Sequence, residues 1–378
     1  MQRPLSLHPR VLLCGYTRLS LRAGMHKLHA GASRWTAVIA PRRRPPGIKG
    51  KESMLNFKRI AGLCALGAAC ALSGAAHAQT DAKGQSMTIV VPYGAGGIVD
   101  NTARAFAQKL AAELGKPVVV ENRGGAGGMI GMNAVARAHD ENTLGFTAVS
   151  PVTLSPHVMK TLYDPLKDLA PVAAVMYSPV YLVGGPKFTG KTFKDMLSQA
   201  KADPDGLSLA TAGVGSLGHL MLEQINGQAG VRIAHVPYKG MAQMVPDALG
   251  GQFTLMLVNA SGPINALIDE GKLKLLAVGS PVRLPARPDT PTLAELGYPM
   301  ANMTSTFGFF APASTSPEFR ARMNGLINKI AAMPDISKPL TDALNIMSPG
   351  TMEQFAAQVQ KEYADNGKIV KEAKIGSE

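Results

Sequence analysis

The chain has 378 residues with a formal net charge of +13, a balance that taken whole would point to nucleic acid or an anionic membrane surface as partner. Its distribution removes that inference: 13 of the 39 basic residues but only Glu52 of the 26 acidic ones fall in residues 1–78, and what remains is close to neutral. All three cysteines (Cys14, Cys64, Cys70) and the only tryptophan, Trp35, lie in the same stretch, so residues 79–378 carry no thiol or disulfide chemistry, and a segment of that size buries enough surface to fold without staples.

Residues 1–53 are rich in Arg, contain the run PRRRPPG and show no strand or helix pattern; they are expected to be a non-native upstream extension, read from too early a start. From Met54 to Ala78 the chain reads as a secretory signal peptide: Lys58 and Arg59, an apolar stretch from Ile60 to Ser73, then Ala76-His77-Ala78, with cleavage expected before Gln79. The apolar stretch is too short to span a bilayer. Neither Cys64 nor Cys70 has the Leu three positions upstream that a lipoprotein would want, and no apolar run closely follows Arg42–Arg44 as twin-arginine export would require.

The mature part alternates strand and helix patterns. Met87 to Val91 is an apolar run of strand length, and a helix from Asn101 to Leu114 places Ala103, Phe106, Ala107, Leu110 and Leu114 on one face before Gly115-Lys116-Pro117 stops it. Val118 to Val120 is the next strand, followed by a helix at 130–138 and a strand at 144–149. Farther on, helices are expected at 191–201, 217–228, 240–249 and 263–270, with strands at 207–210, 232–236, 253–258 and 273–278; Pro281 to Pro299 is a connector, and the chain from Pro317 reads as helices. Such alternation predicts an α/β architecture with mainly parallel sheets flanked by helices.

One device recurs. A strand ends in glycines that open a helix at Pro92-Tyr-Gly-Ala-Gly-Gly97, at Glu121-Asn-Arg-Gly-Gly-Ala-Gly-Gly128 and at Thr211-Ala-Gly-Val-Gly-Ser216. Glycines let backbone N–H groups approach a ligand, a helix N-terminus favours an anion, and ligands of parallel sheets bind beyond the carboxyl ends of strands. Nucleotide sites fit poorly. No P-loop motif occurs, and Gly213-x-Gly215-x-x-Gly218 lacks an acid at the end of the following strand, Ala234-His235-Val236-Pro237. Catalytic and metal readings fit no better. His139, His157, His219 and His235 show no metal-ligand spacing, and Ser216 with His219 lacks the G-x-S-x-G elbow, so Ser216 reads as a helix cap and Asp100 as another.

The stretches VPYGAGGIVDNTAR, VVVENRGGAGGMIG, YDPLKDLAPV, TAGVGSLGHL, HVPYKG, GKLKLLAVGS and RPDTPTLAELGYP, in this order, resemble the substrate-binding proteins of tripartite tricarboxylate transporters, the Bug family. The resemblance implies a two-domain, Venus-flytrap-like (type II) periplasmic binding protein, with domain 1 at 79–177 plus 304–378 and domain 2 at 178–303. It implies a monomer that closes on a small carboxylate and delivers it to membrane permease subunits, with no cofactor, no metal, no nucleic acid and no catalysis. Carried over by motif, Tyr93, Gly94, Ala95, Gly96 and Gly97 contribute from the first loop with Asp100 opening its helix, and Thr211, Ala212, Gly213, Val214, Gly215 and Ser216 from the second with His219 nearby; Ser150, Thr153 and Asn259 are further candidates. Gly124 to Gly128 could serve only a tight turn, Arg123 could meet a second carboxylate or pair with Glu121, and Tyr238 is expected to pack the domain interface.

The chain departs from the family pattern at His139-Asp-Glu-Asn-Thr-Leu144, at Met241, at Thr306 where Trp is usual, and at Val258, where many members have Asp. The last departure argues for a mono- or dicarboxylate without an amine, aromatic ligands included. Two alternatives stay open: a receptor feeding a signalling sensor, and an exported hydrolase using Ser216 and His219.

Overall fold

The computed structural model describes residues 86–372 and Ile375; the expected upstream extension (1–53) and signal peptide (54–78) lie outside the described residues. Among the described residues no helix is long and apolar enough to cross a membrane. Strand β1 (Met87–Val91) is buried at four of its five positions. Helix α1 (Ile98–Leu114) carries the chain over to β2 (Val118–Asn122), and α2 (Met129–Ala136) to β3 (Thr143–Ala148). β1 pairs in parallel with both β2 and β3. α1 stops at Gly115, whose φ of 66° suits a residue without a Cβ.

Two single-turn helices follow, α3 (Ser150–Thr153) and α4 (Ser155–Val158), and then the 16-residue strand β4 (Leu169–Gly184). The next units are α5 (Phe193–Ala202), β5 (Ser208–Thr211), α6 (Leu217–Ala229), β6 (Ala234–Pro237), α7 (Met241–Leu249), β7 (Leu255–Asn259), α8 (Gly262–Asp269) and β8 (Lys274–Gly279). The chain returns through β9 (Thr304–Pro312) and ends in α9 (Pro317–Ala331), α10 (Pro334–Asp342), the two-residue β10 (Ile346–Met347) and α11 (Met352–Glu372).

The strands form one mixed sheet in the order β2-β1-β3-β9-β4-β7-β5-β6, with β8 and β10 also paired to β4. Its outer trios, β2-β1-β3 and β7-β5-β6, are parallel as the alternation predicts. Its centre is antiparallel, built on β4 and β9, which the sequence reading left unassigned. The reason is local: β4 carries Pro171 and Pro179 and has no clean alternation, and Pro removes a ladder donor. The fold accommodates Pro171 where the register with β9 shifts, and Pro179 where β4 changes partners. Leu169 to Pro179 pair with β9, whereas Val180 to Gly184 pair with β7 and β8. One strand thus belongs to both halves of the sheet.

The first half is centred on aromatic packing among α1, β3 and β9: Phe146 and Phe309 have ring centroids 4.6 Å apart, and Phe106 and Phe309 5.3 Å. The second half buries separate clusters on its two faces, one around Leu182, Leu209 and Leu255, the other around Val183, Ala210 and Met256. Truncating Phe309, which is fully buried, to Ala is expected to cost about 3–5 kcal/mol, read as a lowered denaturant midpoint. A loss below about 1 kcal/mol would show that the aromatic cluster does not organise this half.

Candidate functional site

The carboxyl ends of β1, β3, β5 and β7 open on one cavity with a free volume of about 70 Å³. Of the residues expected from sequence, Tyr93, Gly94, Gly97, Ser150, Ala212, Ser216 and Asn259 line it. Ala95, Gly96 and Val214 instead turn outward and are exposed, while Asp100, Thr153, Thr211, Gly213, Gly215 and His219 stand behind the wall. The remaining wall is largely apolar, formed in part by Val180, Leu217, Met241, Leu257, Val258 and Phe307, and no charged side chain lines it.

Asp100 does not cap α1, contrary to expectation. The N-cap is Gly97, which has no side-chain bond, and Asp100 sits in the first turn. From there its carboxylate accepts from the Gly96 N–H at 2.9 Å, from Asn122 Nδ2 at 2.9 Å and from Arg104 Nε at 3.0 Å. Asn122 Nδ2 also donates to the Tyr93 carbonyl. Burial alone would raise the Asp100 carboxyl, yet the bonds from Arg104, Gly96 and Asn122 outweigh it and hold the group below its ordinary range. Asp100 therefore anchors the first glycine loop from behind rather than facing the cavity.

The second loop is anchored in a similar way. The Thr211 hydroxyl meets the Gly213 N–H at 3.1 Å and His235 Nε2 at 2.7 Å, and the Ser216 hydroxyl caps α6 by accepting from the His219 N–H. His219 Nδ1 accepts from the Gly215 N–H, and its ring stacks on that of His235 with centroids 4.4 Å apart. Burial pushes both imidazoles down, His235 to about 4 with the neighbouring His219 adding to the effect. His219 Nδ1 thus faces the loop backbone, and the bond between His219 and the Ser216 hydroxyl runs through the His219 N–H rather than its ring.

The glycine loops meet neighbouring segments. Gly94 N–H donates to the Lys239 carbonyl ahead of α7 at 3.0 Å, and the buried Ser155 hydroxyl at the start of α4 donates to the Gly215 carbonyl at 2.9 Å. A Cβ on Gly127 would lie 2.5 Å from the Val214 carbonyl oxygen, and one on Gly240 2.8 Å from the Gly94 nitrogen. Gly127, at φ 61°, therefore does more than permit a turn. Arg123 pairs with Glu121 at 2.7 Å, both half exposed, and Tyr238 donates to Asp247 and packs edge-on against Phe253.

Three features give the cavity its chemistry. α1 and α7 both begin there on glycines, Gly97 and Gly240, with no side-chain cap, so first-turn N–H groups are left for a ligand. Asn259 Nδ2 is buried without a hydrogen-bond partner, a costly state for a donor unless something fills it. Ser150, Ser216 and Ser305 add hydroxyls. Burial raises the Tyr93 phenol against the lowering pull of its bonds with Thr147 and Ser150, so this ring enters as a neutral wall. The sequence reading missed Ser305 and Phe307 because they come from the unassigned β9. Gly240 and Met241, by contrast, stand at the end of the noted HVPYKG stretch.

Comparison with known proteins places the chain in a family. Residues 102–375 match the family described as "Tripartite tricarboxylate transporter family receptor". Protein BugT of Bordetella pertussis is 34% identical over 309 residues, covering 80% of this chain and 89% of BugT. Among solved structures, the periplasmic binding protein BugD superposes with a TM-score of 0.74 at 30% identity, covering 78% of this chain and 99% of that one. MatC of Rhodopseudomonas palustris, solved with bound malate, gives 0.71 at 29% identity over 75% of this chain and 98% of that one.

The histidine pair generates a pH prediction. A histidine held below its ordinary 6.5 when folded binds its proton more readily when unfolded, so the stability tied to it is present above about pH 6.5 and lost as pH falls toward 4. The unfolding midpoint is expected to drop across that window, and less so in His235→Asn. Equal slopes in the two proteins would place the acid sensitivity elsewhere.

Proposed function

The chain belongs to the tripartite tricarboxylate transporter receptor family, and on that premise we propose that it is a periplasmic receptor that captures a small carboxylate between its glycine loops and delivers it to the permease subunits of such a transporter. The observation that carries the reading is the convergence, on one cavity without a charged wall, of two uncapped helix N-termini and the unpartnered amide of Asn259. Backbone N–H groups and helix dipoles can hold an anion without a counter-ion. Each bond to a charged acceptor contributes about 1.5–3 kcal/mol, so a few of them suffice for micromolar affinity after ordering costs. The apolar Leu257 and Val258 at the wall favour a ligand without an amine beside its carboxylate, and MatC is solved with malate, a carboxylate that carries no amine.

The proposed domains, 79–177 with 304–378 and 178–303, meet where β4 changes partners near Pro179 and where β9 begins at Thr304. These two strands serve as the hinge, and the backbone contacts between the glycine loops belong to the closed state. A carboxylate that bridges the loops stabilises closure by its differential affinity for that state. No catalytic step is part of this reading, and the receptor acts as a monomer.

Thermal unfolding of the purified protein against a panel of carboxylates is expected to give a saturable rise in midpoint for one class. Asn259→Ala should weaken that ligand by about tenfold to a hundredfold, in keeping with one lost bond to a charged acceptor. No shift with any carboxylate, even after unfolding and refolding to strip bound ligand, would overturn the receptor reading. Closure has its own test. Gly127→Ala, which brings a Cβ against the Val214 carbonyl, should weaken binding about tenfold, chiefly through faster dissociation in stopped-flow. Unchanged affinity would remove the loop contact from the closing mechanism.

A further inference from the structure

A second chamber adjoins the first around the carboxyl end of β3, and the two share Ala148, Ser150, Leu217 and Ser305 as walls. It is the roomier, with a free volume of about 280 Å³ against about 70 Å³, space for the part of a ligand that the front cavity does not hold. Its chemistry differs from that of the front. Tyr177, Asn302, Thr304, Ser305 and Thr306 bring hydroxyls and an amide to its lining, and Glu362 of α11 is its one charged side chain.

Glu362 is held in place. Its Oε1 accepts from Thr306 Oγ1 at 2.9 Å and from Gln358 Nε2 at 2.8 Å, and the Tyr177 hydroxyl donates to Gln358 Oε1 at 3.1 Å. Both bonds fall on the same carboxylate oxygen, which leaves Oε2 free to accept from something else. No salt bridge to Glu362 occurs among the described residues. Burial pushes its carboxyl up, against the pull of Gln358 and Thr306. The network with Thr306, Gln358 and Tyr177 fixes the carboxylate and leaves its second oxygen without a hydrogen-bond partner among the described residues.

Resting on the receptor reading above, we propose that the two chambers form one site for a polyhydroxylated monocarboxylate of the aldonic-acid type, its carboxylate at the helix N-termini in front and its hydroxyl tail in the rear chamber, donating to Glu362. Hydroxyls suit this lining because each can donate to Oε2 of Glu362 and accept from the Ser and Thr hydroxyls. A second carboxylate at the far end would instead meet Glu362 as a like charge in a part-buried place, which selects against dicarboxylates. An aliphatic tail would strip water from the polar lining without replacing its bonds.

Three six-carbon acids of matched length test the proposal by calorimetry: gluconate, hexanoate and adipate, with propionate as a probe of the front chamber alone. The native protein is expected to bind gluconate at least tenfold more tightly than either of the others. E362Q, which keeps the shape and removes the charge, should cut that advantage to about threefold or less and leave propionate unchanged; Thr306→Val, which removes one bond to Oε1, should act in the same direction to a smaller degree. Gluconate binding no tighter than hexanoate, or an advantage that survives in both variants, would overturn the proposal and leave the rear chamber as a water-filled space. Failure of all four acids to bind, with another carboxylate of the panel raising the unfolding midpoint, would overturn this proposal alone; no shift across the whole panel would strike the receptor reading itself, so the two failures are distinguishable.

Discussion

Backbone can approach backbone closely only where no Cβ intervenes, and the architecture of this site depends on that constraint. At Gly127 and Gly240 even a methyl group would press on a backbone atom of the facing loop at under 3 Å, a distance that real Cβ atoms do not tolerate. Gly127 lets the loop after β2 meet the second loop, and Gly240 lets the start of α7 meet the first. Gly97 and Gly240 leave the first turns of α1 and α7 without a side-chain cap at the cavity. At Gly240 the steric and the electrostatic requirement fall on the same residue.

The loops are flexible in composition but anchored from behind. Asp100 ties the first to β2 through Asn122 and to α1 through Arg104, and Thr211 with the stacked histidines supports the second. These polar groups are removed from the cavity and satisfied among themselves, so they fix loop geometry without placing a charge on the ligand. On the receptor reading proposed above, oriented dipoles in an apolar setting would hold the anion there, and desolvation strengthens such interactions. A lysine or arginine would add Coulomb attraction, at the expense of slower release and of weaker discrimination among anions.

The antiparallel centre of the sheet adjoins this site. β4 runs through both halves, and β9 lies beside it. Residues of these strands also line the two chambers: Val180, Ser305 and Phe307 in front, Tyr177 and Thr306 behind. On the hinge proposed above, a ligand in the chambers would touch the strands about which the halves turn, so its fit would bear on the stability of the closed arrangement.

How much of this was legible in the sequence follows from the range of the interactions involved. Strand–glycine–helix units are local, written within a dozen residues, and seven motifs in order carried both the fold and the family; the near-neutral charge of residues 79–378 likewise followed from counting. Asp100 was read as a helix cap because its neighbours in sequence suggest one, but its partner Asn122 lies 22 residues away. β4 and β9 went unassigned because their prolines and unbroken apolar runs have meaning only beside the strands they pair with. Thr306 and Glu362, 56 residues apart, share no local pattern at all. The sequence by itself determined the repeating units, the glycine loops and the near-neutral charge of residues 79–378, since these depend on short-range conformational preference and composition. Only the tertiary structure decided which loop residues face the cavity, which strands join the halves and where the acid of the rear chamber stands, because each depends on chain segments brought together by packing.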